Sequence, residues 1–300
     1  MLAYGAESIV HGLICAMAIE LLLHWRPRDT PDTRLHGLGA ALLLPALLTP
    51  ALRLLVSARL TPAFRDGPAL LSASHFLPWR TAGLVVLGAL AVLGALLFLR
   101  DLVPFVRDRL TDRPGAQVSA GPALQAAERA AQRLGIPVPP ILEERHGHPV
   151  LMCRGWRPEI VVSTGLVQAL TPQELESAMM HEVAHAARRD PLLGWGLMLV
   201  RALCCWNPAV QVLGRRMVRE LERRADQITA DMMDQAGPLA SSLRRIDEMR
   251  AGPDSWVRRL ACRDIEARCR AMQIPTGHSR RRWPLAFALG LAIILFLVVV

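Results

Sequence analysis

The sequence predicts a mainly α-helical membrane protein, with about four transmembrane helices and a cytoplasmic α+β domain. Three observations predict it. Long apolar runs recur near both ends of the chain and around residue 90, and 52% of the 300 residues are hydrophobic. The charged stretches beside those runs are rich in arginine. Segment 101–282 holds a short β-prone hairpin followed by His181-Glu182-Val183-Ala184-His185.

The spans come first. Crossing a bilayer takes about 20 apolar residues, within a range of roughly 17–25. Run 5–25 is interrupted by Glu7, His11 and Glu20, and it lacks the basic leader and small-residue cleavage site of a signal peptide. His11 and Glu20 fall on opposite sides of a helix and read as bundle-facing or snorkelling groups. Run 38–56 is kinked by Pro45 and Pro50, with Arg53 near its end. Run 83–99 is uncharged between Arg80 and Arg100, and run 283–300 follows Arg280-Arg281-Arg282. The expected layout is a membrane domain over 1–100, a cytoplasmic domain over 101–282 and a fourth helix over 283–300.

Charge sets the orientation. The net charge is +9, the pI is near 10.6 and mean hydropathy is +0.28. Every basic residue is Arg, with no Lys. No nucleic-acid module accompanies the arginines, so direct nucleic-acid binding is not expected. The first two loops carry equal numbers of Arg. The edges of segment 101–282 break the tie, with Arg100, Arg107, Arg109 and Arg113 at one end and Arg270, Arg280, Arg281 and Arg282 at the other. Positive flanks stay inside, which places 101–282 in the cytoplasm and both termini outside. The six cysteines contain no C-x-x-C pair, so neither a zinc ribbon nor a disulfide framework is indicated.

Within that segment, 101–117 reads as a juxtamembrane connector because it is charged and contains Pro104 and Pro114. Residues 122–134 are Ala-rich with helical spacing and end at Gly135, a C-cap signal. Pro137, Pro139 and Pro140 make a stiff break. Residues 150–153 and 159–163 form a hairpin pattern around Arg154-Gly155-Trp156-Arg157-Pro158. The run Ile160, Val161, Val162 and Ser163 is expected to be a strand edge on which an extended substrate pairs through its backbone.

Thr171-Pro172-Gln173-Glu174 is a capping box with proline at the first helical position. Asp190-Pro191 stops that helix. His181 and His185 therefore lie well inside it, four residues apart, where both imidazoles reach one metal ion. Glu182 between them has the place of the general base of a zinc hydrolase. Beyond Pro191 an apolar helix runs to Trp206, Asn207-Pro208 turns the chain, and a second helix runs from about Ala209 to Gln235, closed by Gly237-Pro238. From 192 to 206 and from 208 to 222 the two legs are 14 residues each. At about 1.5 Å per residue an antiparallel pair brings Glu222 back to the level of His185. Zinc catalytic sites commonly combine two His, one Glu and an open position, so Glu222 is the expected third ligand. Asp226, one turn on, suits a carboxylate orienting a His ring. Glu220, the competing ligand, lies about half a turn from Glu222.

These strings resemble a known family. His181-Glu182-Val183-Ala184-His185, Arg188-Arg189-Asp190, Trp206-Asn207-Pro208 and Glu222 to Asp226 are similar to the BlaR/MecR family of integral-membrane zinc metallopeptidases. Arg157-Pro158-Glu159-Ile160-Val161-Val162 with Gly165-Leu166, and three spans ahead of the domain, add to the likeness. The resemblance implies a zincin-like domain, Zn2+ held by His181, His185 and Glu222, Glu182 as catalytic base, and Asp226 and Asp190 behind the His rings. It implies a multi-pass protein of the bacterial inner membrane that senses a signal and cleaves a cytoplasmic transcriptional repressor. The expected partners are that protein substrate, the lipid bilayer and, in a homodimer, a second copy of the chain. Two departures qualify it. The beta-lactam sensors continue into a penicillin-binding domain, whereas this sequence ends with the fourth run, so beta-lactam sensing is not expected. The family also often has Cys before the Asp of the third-ligand helix, where this chain has Ala225. HtpX-type membrane quality-control proteases share H-E-x-x-H and a downstream E-x-x-x-D. A scaffold retaining a structural zinc is the non-enzymatic alternative, and it leaves Glu182 without a purpose.

Overall fold

The computed structural model describes residues 2–26, 29–44, 77–110, 116–144, 149–250 and 265–270, together with 272, 284, 287, 288, 290 and 291. The chain divides into two compact units. One comprises Met1–Leu110, Leu197–Glu220 and Thr276–Val300, and the other Thr111–Gly196 and Leu221–Pro275.

The first unit contains α1 (Leu2–Trp25), α2 (Pro31–Leu43) and α3 (Leu77–Leu110). Two stretches are long and apolar enough to cross a membrane, Ser8–Trp25 and Gly83–Val103. They coincide with the first and third expected spans. Most of the second and fourth expected spans, and the loop expected between spans two and three up to residue 76, lie outside the described residues. Helix α2 starts well before the expected run at 38, because Thr30 caps it by accepting from the Thr33 N–H at 3.3 Å. Within the connector expected at 101–117, α3 continues through Pro104 to Leu110. Proline removes one helical hydrogen bond. Asp101 offsets that loss by binding Arg215 Nε at 2.8 Å and the Arg201 guanidinium.

Helices α7 (Asp190–Leu203) and α8 (Pro208–Met233) form the matched pair of legs. Their turn belongs to the first unit. The fully buried Asn207 side chain donates to the Ser8 carbonyl at 2.6 Å, and its Oδ1 accepts from the Ala209 N–H at 3.0 Å, capping α8. A Cβ on Gly12 would stand 2.7 Å from Asn207 Nδ2, and one on Gly94 would stand 2.6 Å from the Trp206 backbone. Glycine at both positions is what lets this turn sit against α1 and α3.

The second unit carries β1 (Ala116–Gln117), α4 (Pro122–Leu134), β2 (Ile141–Glu144), β3 (Leu151–Arg154), β4 (Glu159–Ser163), α5 (Thr164–Ala169), α6 (Pro172–Arg188) and α9 (Gly237–Arg250). The sheet order is β1-β2-β4-β3, with β2 and β4 parallel and the outer pairs antiparallel. Strand β4 is a correction. It is hydrogen-bonded on both sides, so Ile160, Val161, Val162 and Ser163 cannot serve as a substrate edge. All four side chains are buried. A continuous apolar run is the mark of an interior strand, whereas a half-exposed edge alternates. Strand β2, hidden behind the proline break, is the unexpected partner. Gly237 opens α9 as well as following α8, which ends at Met233.

The core lies between sheet and helices. Ala123, Ala126, Ala127, Ala130 and Ala131 give α4 a small buried stripe against α6. Leu175, Met179 and Val183 of α6 meet Ile141, Ile160 and Val162 of the sheet. Each large side chain buried this way contributes roughly 1.5–3 kcal/mol. The α6 start has the full capping box: Thr171 Oγ1 accepts from the Glu174 N–H at 3.3 Å, and Glu174 Oε2 accepts from the Thr171 N–H at 2.9 Å. The helix closes at Arg189, in the left-handed conformation at φ 54.

Candidate metal centre

Helix α6 turns His181 and His185 to one side, and α8 returns Glu222 to them. The two Nε2 atoms stand 3.1 Å apart, and the rings meet edge to face with centroids 4.7 Å apart. Glu222 Oε2 is 3.6 Å from His181 Nε2, and Oε1 is 3.7 Å from His185 Nε2. Both imidazoles are buried, whereas Glu222 keeps 37% of its side chain exposed, so the cluster opens on one side.

Each ring is held from behind. Asp190 Oδ2 accepts from His185 Nδ1 at 2.7 Å, and Asp226 Oδ1 stands 3.2 Å from His181 Nδ1. Asp226 is 1% exposed and lies one turn beyond Glu222. Asp190 takes the His185 Nδ1 proton and Asp226 flanks His181 Nδ1, which leaves both Nε2 atoms facing one another and the Glu222 carboxylate. These three ligand atoms all lie within 4.8 Å of one another. The arrangement calls for a cation. Two nitrogens bound to one zinc at 2.0–2.1 Å and a tetrahedral angle stand about 3.3 Å apart, close to the spacing here. The donor set of two imidazoles and one carboxylate therefore fits zinc.

The carboxylates give the centre a strongly negative potential that favours a cation there. Burial opposes a charge on His181, yet Asp226 and Glu222 together push its pKa up to about 10. Burial likewise opposes ionisation of Glu222, but His181, His185 and Arg268 hold its carboxyl far below the usual range. Asp226 is held down against burial by Arg268 and His181. Glu182, between the two His on α6, is half-buried. Burial raises the Cys153 thiol of β3, and the charges of Glu182 and Asp190 raise it further, so β3 runs beside this end of α6.

Arg268 is the residue that sequence reasoning missed. It donates to Asp226 through Nε at 2.8 Å and Nη2 at 2.7 Å, and Nη2 is 3.3 Å from Glu222 Oε2. It sits on a helical stretch at 265–270 whose Cys269 packs with Leu239 of α9. Only its place near a helix among other arginines marked it, which is no signal. Glu220 takes a different partner, Arg34 Nε at 3.0 Å. Of the residues expected at the centre, the structure brings together His181, His185, Glu222, Asp226 and Asp190. It leaves Glu220 and the β4 run apart.

Two histidines one turn apart on one helix, a returning carboxylate and an aspartate behind each ring are the arrangement of the metallopeptidases that use H-E-x-x-H. The chain belongs to the BlaR1 peptidase M56 family, whose profile matches residues 73–235. It is also similar to a protease HtpX homolog of Gemmatimonas aurantiaca, 35% identical over 86 residues, covering 26% of this chain and 31% of that protein. A protease HtpX homolog of Syntrophotalea carbinolica is 29% identical over 83 residues, covering 27% of this chain and 30% of that protein. The chain thus spans about a third of the length of these curated relatives.

Proposed function

We propose that the chain is a membrane-anchored zinc endopeptidase with a cytoplasmic active site, acting on a protein substrate. The observation that carries this reading is the pair of Nε2 atoms 3.1 Å apart facing the Glu222 carboxylate, with Glu182 on the same helix. His181, His185 and Glu222 hold the metal. When bound, zinc polarises the scissile carbonyl and lowers the pKa of a water to about 7. The Glu182 carboxylate takes the proton of the attacking water and delivers it to the leaving amine. Asp190 and Asp226 keep the imidazoles turned so that Nε2 faces inward. Arg268 neutralises Asp226 and steadies Glu222. The substrate pairs with β3, whose partner among the described strands is β4 alone and whose Cys153 lies within the field of Glu182.

Four spans with residues 101–282 inside remain our topology, supported by the arginines that flank that segment. Reporter fusions after Trp25, Arg65 and Asp112 then read inside, outside and inside. Two substrate classes follow from the two likenesses. The family supports cleavage of a transcriptional repressor in response to a signal. The HtpX homologs favour the second reading, quality control of membrane proteins. Glu182→Gln separates enzyme from scaffold, because it keeps zinc and the fold but loses peptide cleavage. A Glu182→Gln chain that restores a null strain as well as wild type overturns the peptidase reading. Proteomes of wild-type and Glu182→Gln cells separate the substrates: one stabilised DNA-binding protein means signalling, and many accumulated membrane proteins mean quality control.

A further inference from the structure

The α7–α8 hairpin is built inside out. In water a helix buries apolar side chains and exposes polar ones. Here the polar groups are inside: Asn207 and Gln211 are fully buried and Arg201 is 4% exposed. They satisfy one another. Arg201 Nε donates to Gln211 Oε1 at 3.0 Å, and Gln211 Nε2 donates to the Arg201 and Cys204 carbonyls at 3.1 Å each. The outward face is apolar: Leu192 36%, Leu193 41%, Leu199 61%, Leu203 64% and Val212 44% exposed. Leu192, Gly196, Leu199 and Leu203 follow helical spacing and form one stripe along α7. A stripe of this kind facing water costs free energy that grows with its area, whereas hydrocarbon accepts it.

The depth agrees. Gly94, against which the Trp206 backbone rests, is one residue from the middle of the Gly83–Val103 stretch. If that stretch crosses a bilayer, the turn lies at the midplane. From there to the membrane face is about 15 Å, or roughly ten helical residues. The legs therefore emerge near Leu197 and Met217. Buried Arg201 and half-buried Asp101 pair between the midplane and that face.

We infer that the α7–α8 hairpin is a re-entrant membrane hairpin, with Leu199 and Leu203 of α7 lying against lipid acyl chains. Only about ten residues of each leg lie within the bilayer, and both legs return to the same side. Arg201 and Gln211 satisfy each other and the Arg201 and Cys204 carbonyls within the hairpin, which lowers the cost of placing them in hydrocarbon. This inference goes beyond the peptidase reading and needs only a chain inserted in a membrane.

The test uses the unaltered full-length chain in liposomes that contain a phosphatidylcholine with a diazirine in its acyl chain. After illumination and tryptic digestion, three peptides are read by mass spectrometry: 81–100 from α3, 190–201 with Leu199, and 202–215 with Leu203 and Val212. Hydroxyl-radical labelling from water is read in parallel. Lipid adducts placed on Leu199 within 190–201 and on 202–215 are expected, with water labelling at Leu199, Leu203 and Val212 as low as on 81–100. Adducts on 81–100 alone, with water labels on the other two, overturn the inference and leave membrane insertion intact. Crosslinks from these peptides to a second copy, without lipid adducts, overturn it in favour of a dimer face. No lipid adduct on any of the three overturns membrane insertion as well.

Discussion

Asp226→Asn is the most decisive single change, because two effects act in one direction. The carboxylate stands 3.2 Å from His181 Nδ1, and it also accepts both Arg268 bonds, at 2.8 and 2.7 Å. Losing a carboxylate that orients a metal-bound His typically costs 10–100-fold in metal affinity. That is about 1.4–2.7 kcal/mol at 1.36 kcal/mol per tenfold. The substitution also unmasks the Arg268 guanidinium, already 3.3 Å from Glu222 Oε2, and a positive charge there opposes a divalent ion. The second effect adds to the first, so zinc affinity falls by at least about tenfold and approaches the upper end of that range. Arg268→Gln added to Asp226→Asn removes the unmasked charge and recovers part of the loss. The coupling between two groups in contact should fall within about 0.5–3 kcal/mol. Chelator competition on purified full-length protein reads all four corners of the cycle, with circular dichroism as the check on folding. A single variant that binds zinc within threefold of wild type, or a double variant no tighter than the single one, refutes the roles assigned to Asp226 and Arg268.

Three further outcomes are expected. Gly94→Ala should lower thermal stability in detergent by the 1–3 kcal/mol typical of overpacking, whereas Gly88→Ala, whose Cβ meets nothing within 4 Å, should be near neutral. Equal melting temperatures for the two would remove the close approach of Trp206 to α3. Thr171→Ala should cost about 1 kcal/mol by removing the N-cap of α6, read as a lower midpoint in urea, and Thr171→Ser should restore it. Glu174 gives an acid signature: the Ser241 hydroxyl and the Thr171 N–H hold its carboxyl below the usual 4.5 against the opposing effect of burial. A lowered folded pKa gives stability that is present above about 4.5 and lost as pH falls below it, so Glu174→Gln should flatten the decline of melting temperature in that window. An unchanged slope would assign the acid sensitivity elsewhere.

The centre was legible where local chemistry dictates structure. Thr171, Pro172 and Glu174 announce the start of α6, and Asp190-Pro191 marks its end. The equal legs on either side of Asn207-Pro208 carry Glu222 back without any tertiary knowledge. What stayed hidden depends on distant pairing. Strand β2 follows three prolines, and nothing in Ile141-Leu142-Glu143-Glu144 says that it lies parallel to β4. That unseen partner is why Ile160 to Ser163 read as an edge. Arg268 was hidden for the same reason, since its partners are 42 and 46 positions earlier in the chain. The helix through Pro104 was hidden because the Asp101 ion pairs that support it come from α7 and α8.

Helix α8 offers two carboxylates within three residues, and their fates differ. Glu220 and Glu222 point about 200° apart around the axis, so only one can face the histidines at a time. Glu220 is 1% exposed and bound by Arg34 of α2. Breaking a buried ion pair costs about 3–5 kcal/mol. Rolling the helix to exchange the two carboxylates would break that pair. Arg34 therefore works as an indexing pin: it fixes the angular setting of a helix whose sequence alone permits two, and so determines which glutamate the metal meets.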